Sequence, residues 1–221
     1  MARRRRGSHT VFEMRSRLSG RIRVIDHGAQ RRLMVSGDTL SVYPLDGDWS
    51  RLEREYWWRA LVAVALPPRP TVLLMGLGGG TQVHLLHRLT TPRLVTVIER
   101  DPAIVRIAND WFGLEELGGI EVLCADAGAA VPALAHARRR FDFIMDDASY
   151  ADEPDRAAAL ARVLVPLVGP RGTLVVNRHR RQGAYRLATG LRPLFRTVRL
   201  RRVRPGGENI LICCCDPVRR A

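Results

Sequence analysis

The sequence predicts a doubly wound α/β domain with a mostly parallel sheet, a C-terminal antiparallel hairpin and a small N-terminal β element. Three observations carry this. From residue 71 onward, short apolar runs alternate with helical patterns five times, which is how consecutive βα units read. The turn Gly76-Leu77-Gly78-Gly79-Gly80 joins the first apolar run to its helix. The 221 residues suffice for one domain with a small appendage, and for a core that needs no disulfide staples.

Residues 1–19 hold Arg3–Arg6 and read as a basic, disordered arm. Residues 20–70 form the small N-terminal element. RIRVIDHG, RRLMVSG and TLSVYPL are short strands separated by His27-Gly28 and Gly37-Asp38. Arg51–Leu66 then shows Leu52, Tyr56, Ala60 and Val64 at helical spacing, and Pro67, Pro68 and Pro70 end that helix. Residues 71–221 form the doubly wound domain. Its five strands are TVLLM, LVTVIE, IEVLCAD, FDFIMDD and GTLVVN, each followed by a helix. FRTVRLRRV and ENILICCC close the chain as two strands paired through Pro205-Gly206-Gly207.

With 46% apolar and 26% charged residues, the composition excludes disordered, collagen-like and coiled-coil classes. The longest apolar stretch, Leu61–Pro68, falls far short of the ~20 residues of a membrane span. No apolar segment follows the N-terminal arginines, so no secretory signal is read there. Cys124 stands alone, and Cys213, Cys214 and Cys215 alternate faces on a strand. They form no metal-binding pair and suit a reducing cytoplasm. No metal is expected.

All 36 basic residues are arginine, and the formal net charge is +14. Residues 1–32 carry a net +8 and residues 171–221 a net +11, whereas the middle is −5. Basic ends of this kind fit a nucleic-acid footprint. The absence of lysine favours the plainer reading, a coding preference for arginine on a solvated surface.

The chemistry-bearing residues fall at predicted strand ends. Glycines 76, 78, 79 and 80 let a backbone approach a ligand closely at a helix N-terminus. Glu99 ends the second strand, where an acid can accept both ribose hydroxyls. Asp126, followed by Ala127, ends the third and can accept from an adenine amino group. Either acid alone also reads as a helix N-cap, and Asp101 before Pro102 fits that role better. The fourth strand ends in Asp146-Asp147, which alternation sends to opposite sides. The one facing the cleft can attract an amine and take its proton, and Tyr56 can reach the same cleft. Asp152, Glu153 and Asp155 read as the start of a helix.

Over about residues 20–215 the sequence resembles the polyamine aminopropyltransferases, the spermidine synthase-like proteins. The resemblance lies in VLLMGLGGGTQVHLLHR, VTVIERDPAIVRIANDWF, EVLCADAGAAV and FDFIMDDASY, with EREYWW as an entry helix. It implies a class I S-adenosylmethionine methyltransferase-like, Rossmann-like fold. It also implies transfer of an aminopropyl group from decarboxylated S-adenosylmethionine to an amine. Glu99 then matches the ribose-binding acid and Asp126 the adenine-side acid. Asp147 matches the proposed base and Tyr56 the motif tyrosine.

The departures lie in the amine half. The family's loop reads G-G-D-G-G, and its acid, which holds the donor's ammonium, is Gly78 here. The second acid of its D-S-S-D motif is Tyr150, and the residues after the tyrosine are Trp57 and Trp58. Those aromatics either line a cation–π wall or enter the core. The expected activity is therefore a transferase with an altered acceptor pocket. Poor turnover of a diamine such as putrescine is expected. The alternatives are methyl transfer from intact S-adenosylmethionine and a non-catalytic binding protein. Expected partners are a small-molecule amine or other small nucleophile, a second copy in a homodimer, and nucleic acid through the arginines.

Overall fold

The computed structural model describes residues 7–148, 152–179 and 183–218. Two sheets share one body. The first is a four-stranded antiparallel meander of β1 (Ser8–Ser16), β2 (Gly20–His27), β3 (Gln30–Val35) and β4 (Asp38–Pro44). Alternation buries Ile22, Val24, Leu33 and Val42 on one face, which joins the core beneath Leu77 and Val83. Ser8–Ser16, expected as part of a disordered arm, is therefore a strand. The arginine run lies before it, and the strand itself holds only Arg15. Val11, Phe12 and Met14 pack on the core, and Asp101 anchors its end by accepting from the Ser16 hydroxyl at 2.5 Å.

The expected helix over 51–66 is also corrected. Trp49–Leu52 is a 3₁₀ turn capped by the Asp48 side chain, and α1 spans only Tyr56–Leu61. Beyond it Ala63, Val64 and Leu66 pack on the core as irregular chain, so the apolar run continues where the helix does not. The prolines that follow disfavour helical backbone before them.

The second sheet has the order β10-β11-β9-β8-β5-β6-β7. Its strands are β5 (Thr71–Met75), β6 (Leu94–Glu99), β7 (Ile120–Cys124), β8 (Phe141–Asp146), β9 (Val168–His179), β10 (Phe195–Arg202) and β11 (Asn209–Pro217). The helices between them are α2 (Thr81–Leu89), α3 (Pro102–Phe112), α4 (Ala127–His136), α5 (Pro154–Leu164) and α6 (Ala184–Leu191). β11 is the one strand of this sheet that runs against its neighbours, inserted between β9 and β10. One core cluster unites the meander with α1, α2 and α3. The other lies across the sheet beneath α4, α5 and α6. Chain order reverses between β5 and β8, which opens a crevice at the strands' carboxyl ends. Among the described residues, no helix is long and apolar enough to cross a membrane.

Candidate functional site

Four adjacent strands, β8, β5, β6 and β7, deliver Asp147, the glycine turn, Glu99 and Asp126 to one edge of the sheet. At a strand spacing of ~4.8 Å the row is about 14 Å long.

β5 is buried at every position, and the chain leaves it at Gly76. Gly78 has φ +54°, and a Cβ there would lie 2.7 Å from Ser41 Oγ and 3.1 Å from the Leu40 carbonyl oxygen. Glycine is thus required both by conformation and by the close approach of β4. The same Ser41 oxygen accepts from the Gly79 N–H at 2.7 Å, and Thr81 bonds the Val42 backbone at both its N–H and its carbonyl. The N-terminal meander therefore holds the turn from outside. Gly80, in the left-handed region, is the N-cap of α2.

Glu99 Oε2 accepts from the Leu77 N–H at 3.1 Å and Oε1 from the Asp101 N–H at 2.9 Å. A carboxylate has about four acceptor positions, so this carboxylate is oriented and still has two to offer. Asp126 is exposed and caps α4, accepting from the Gly128 N–H at 2.7 Å, with Ala127 opening the helix. Both roles weighed for Asp126 are compatible, because only one of its oxygens serves the cap. Asp101, as expected, caps α3 ahead of Pro102.

Asp147 lies just past β8. Its Oδ2 accepts from the Tyr56 hydroxyl at 2.6 Å and its Oδ1 from Asn177 Nδ2 at 2.7 Å. It keeps a partly open edge, yet burial pushes its carboxyl above the ordinary range, against the lowering effect of those two bonds. Asp146 points the other way. It is fully buried, and its negative charge acts on the equally buried Arg178. The alternation expected of this pair holds.

Asn177 was not anticipated. It ends the inward run of β9, and its Oδ1 accepts from Asn209 Nδ2 of β11 at 3.1 Å. Since the oxygen is taken by Asn209, the amide nitrogen faces Asp147. An asparagine at a strand end carries no motif, so only the adjacency of β8, β9 and β11 reveals it.

Of the aromatics, Trp57 is core, 6% exposed, with its ring 4.7 Å from that of Tyr56. Trp58 is half-buried against the same cluster. A wall containing all three aromatics is therefore not formed by Trp57, and Tyr150 lies outside the described residues. Glu153 occupies the N-cap position of α5 without a side-chain capping bond, and Asp155 stands in its first turn, so these acids begin a helix as expected.

No protein-family model matches the chain. It is 28% identical over 156 residues to the eEF1A lysine and N-terminal methyltransferase of Danio rerio, covering 65% of this chain and 23% of that protein. It is 26% identical over 131 residues to the polyamine aminopropyltransferase of Vibrio vulnificus (strain CMCP6), covering 58% and 44%. The chain thus spans less than a quarter of the methyltransferase that it matches. Among solved structures, human methyltransferase-like protein 13 in complex with SAH superposes with TM-score 0.57 at 24% identity, covering 71% of this chain and 74% of that one. A probable spermidine synthase from Corynebacterium glutamicum superposes with TM-score 0.70 at 16% identity, covering 95% and 80%. The fold is that of the class I S-adenosylmethionine-dependent methyltransferases. The likeness to aminopropyltransferases read from the sequence is accompanied by one to protein methyltransferases.

Proposed function

We propose that the chain is a transferase that moves an alkyl group from an S-adenosyl donor to an amine nitrogen, with Asp147 as the proton acceptor. The observation that carries this is the Tyr56–Asp147–Asn177 arrangement at the head of the row formed by the glycine turn, Glu99 and Asp126. Glu99 would take the ribose hydroxyls and Asp126 the adenine edge, with Gly76–Gly80 and Ala127 against the nucleoside. The donor supplies a carbon activated by its sulfonium. The amine nitrogen bonds to that carbon, the carbon–sulfur bond breaks, and the thioether leaves with the electron pair. The nitrogen's surplus proton passes to Asp147 Oδ. A carboxylate with a raised pKa is the better base, and Tyr56 and Asn177 fix where it points.

The first reading of the transferred group is aminopropyl, from decarboxylated S-adenosylmethionine. A second reading, methyl transfer from intact S-adenosylmethionine, is favoured by Gly78. Because β4 fills the space beyond its α-carbon, the turn offers no carboxylate there to repel the donor's own. Both relatives named above act, by their names, on amines, which supports the common element.

Calorimetry decides. Methylthioadenosine, the nucleoside part common to both donors, should bind, and Glu99→Ala should weaken it by about 1–3 kcal/mol. Comparing the two donors identifies the group, and the product mass with an amine acceptor confirms it. No heat with millimolar methylthioadenosine would overturn the site. Rapid spermidine formation from putrescine would overturn the altered acceptor pocket.

A further inference from the structure

A second concave surface lies on the sheet face that carries Asn177. It is a half-open groove of about 360 Å³ between residues 63–65 and strands β9, β11 and β10. Its origin is the early end of α1. β10 turns Val198 and Leu200 toward the α6 side, so Thr197, Arg199 and Arg201 project from the opposite face. With α1 stopping at Leu61, the irregular segment that follows makes only one wall, and this face of β10 stays open.

The groove is lined by Arg171, Arg199 and Arg201, all exposed, with Thr173 and Thr197 between them. Among the described residues, none of the three guanidiniums is ion-paired with a carboxylate. No acid lines the groove. The Cys213 thiol on its floor is pushed up to about 11 by burial, so it adds no negative charge at neutral pH.

The spacing of the charges selects the ligand. Thr173, Cys215 and Thr197 lie level across three strands. Arg199 and Arg201 follow Thr197 by two and four residues, about 7 and 14 Å along the strand. Arg171 precedes Thr173, beyond the other end and two strand spacings away, ~10 Å. A single phosphate can be shared by Arg199 and Arg201 but leaves Arg171 out of reach, whereas a chain of phosphates meets all three. Thr173 and Thr197 add hydroxyl donors between them.

We propose that this groove binds the phosphate backbone of a single-stranded nucleic acid. The groove opens on the sheet face, and its Arg201 end is level with Asn177 two strands away; the proposal does not depend on the transfer chemistry. Such binding is governed by counterion release, with a slope of log K on log salt near −0.7 per phosphate contact for single strands.

The test is fluorescence anisotropy of a labelled single-stranded RNA of about 12 nucleotides with the full chain, without donor, across a salt series. Arg171→Gln/Arg199→Gln/Arg201→Gln should weaken binding about tenfold or more and make the slope shallower by about 2. Arg106→Gln, an exposed arginine on α3, controls for bulk charge and should leave both unchanged. The triple variant should keep the wild-type melting temperature, and Arg199→Gln/Arg201→Gln serves if it does not. Two results overturn the proposal. In one, the arginine variants match Arg106→Gln in affinity and slope, which would assign any binding to other arginines. In the other, polyglutamate of equal charge displaces the RNA as well as unlabelled RNA does, which would make the partner an acidic protein.

Discussion

Asp147 and Asp146 are adjacent, chemically identical and differently employed. Asp147→Asn keeps the shape, and its amide oxygen can still accept from Asn177 while its nitrogen donates to Tyr56. The base is gone, so transfer should slow by roughly 10²–10⁴-fold with little change in nucleoside affinity. Stability should move the opposite way. Burial raises the Asp147 carboxyl, so the folded state binds this proton more tightly than the unfolded chain does. Its favourable contribution is present below the unfolded value of about 3.9 and is lost as pH rises through the raised folded value. At neutral pH the variant should therefore melt higher than the wild type, and the gap should close as pH falls. A variant that melts lower at neutral pH would contradict this. Asp146→Asn instead removes the largest opposite charge acting on buried Arg178, with Asp152 and Glu153 acting more weakly, which should cost about 3–5 kcal/mol of stability, read by denaturant melts. The hydrogen bonds also set a polarity. The one phenolic proton of Tyr56 points at Asp147, so any other partner of that oxygen must donate to it. An amine N–H meets that requirement, whereas a carbonyl does not.

Between elements, the contact that matters most is β4 against the glycine turn. Gly78→Ala needs both an unfavourable φ and a displacement of Ser41 and the Leu40 backbone, and it should cost about 1–3 kcal/mol. It should also weaken nucleoside binding, because the displaced Ser41 oxygen is what holds the Gly79 N–H. Calorimetry on the variant would show wild-type affinity if β4 were merely adjacent. This packing was invisible in the sequence. The turn itself was legible because three of its glycines sit at positive φ between a buried strand and a helix, and Glu99, Asp126 and Asp147 because each follows a short apolar run. Asn177 and Asn209 were not, since their pairing exists only once β11 enters the sheet. The error at α1 has a similar cause. Ala63, Val64 and Leu66 pack against the core as coil, and Val64 falls by that packing at the helical spacing set by Leu52, Tyr56 and Ala60.

At the scale of the whole molecule, a charge of +14 concentrated in two stretches opposes compaction. Raising ionic strength from about 10 to 150 mM shortens the Debye length from roughly 30 to 8 Å, so the melting temperature should rise over that range. A fall would mean that surface ion pairs such as Arg21–Glu13 outweigh the repulsion. The alternation of five βα units made the sheet readable from one chain alone, and its strand order follows from right-handed crossovers. The position of β11 has a temporal consequence. A ribosome delivers β9 and β10 before the strand that must lie between them. Until β11 arrives, β10 has no neighbour in the sheet to pair with, and the Asn209 amide is not there to orient Asn177. A nascent chain could thus assemble its glycine turn and Glu99 early, while the aim of the Asp147 carboxylate waits for a strand synthesised some sixty residues later.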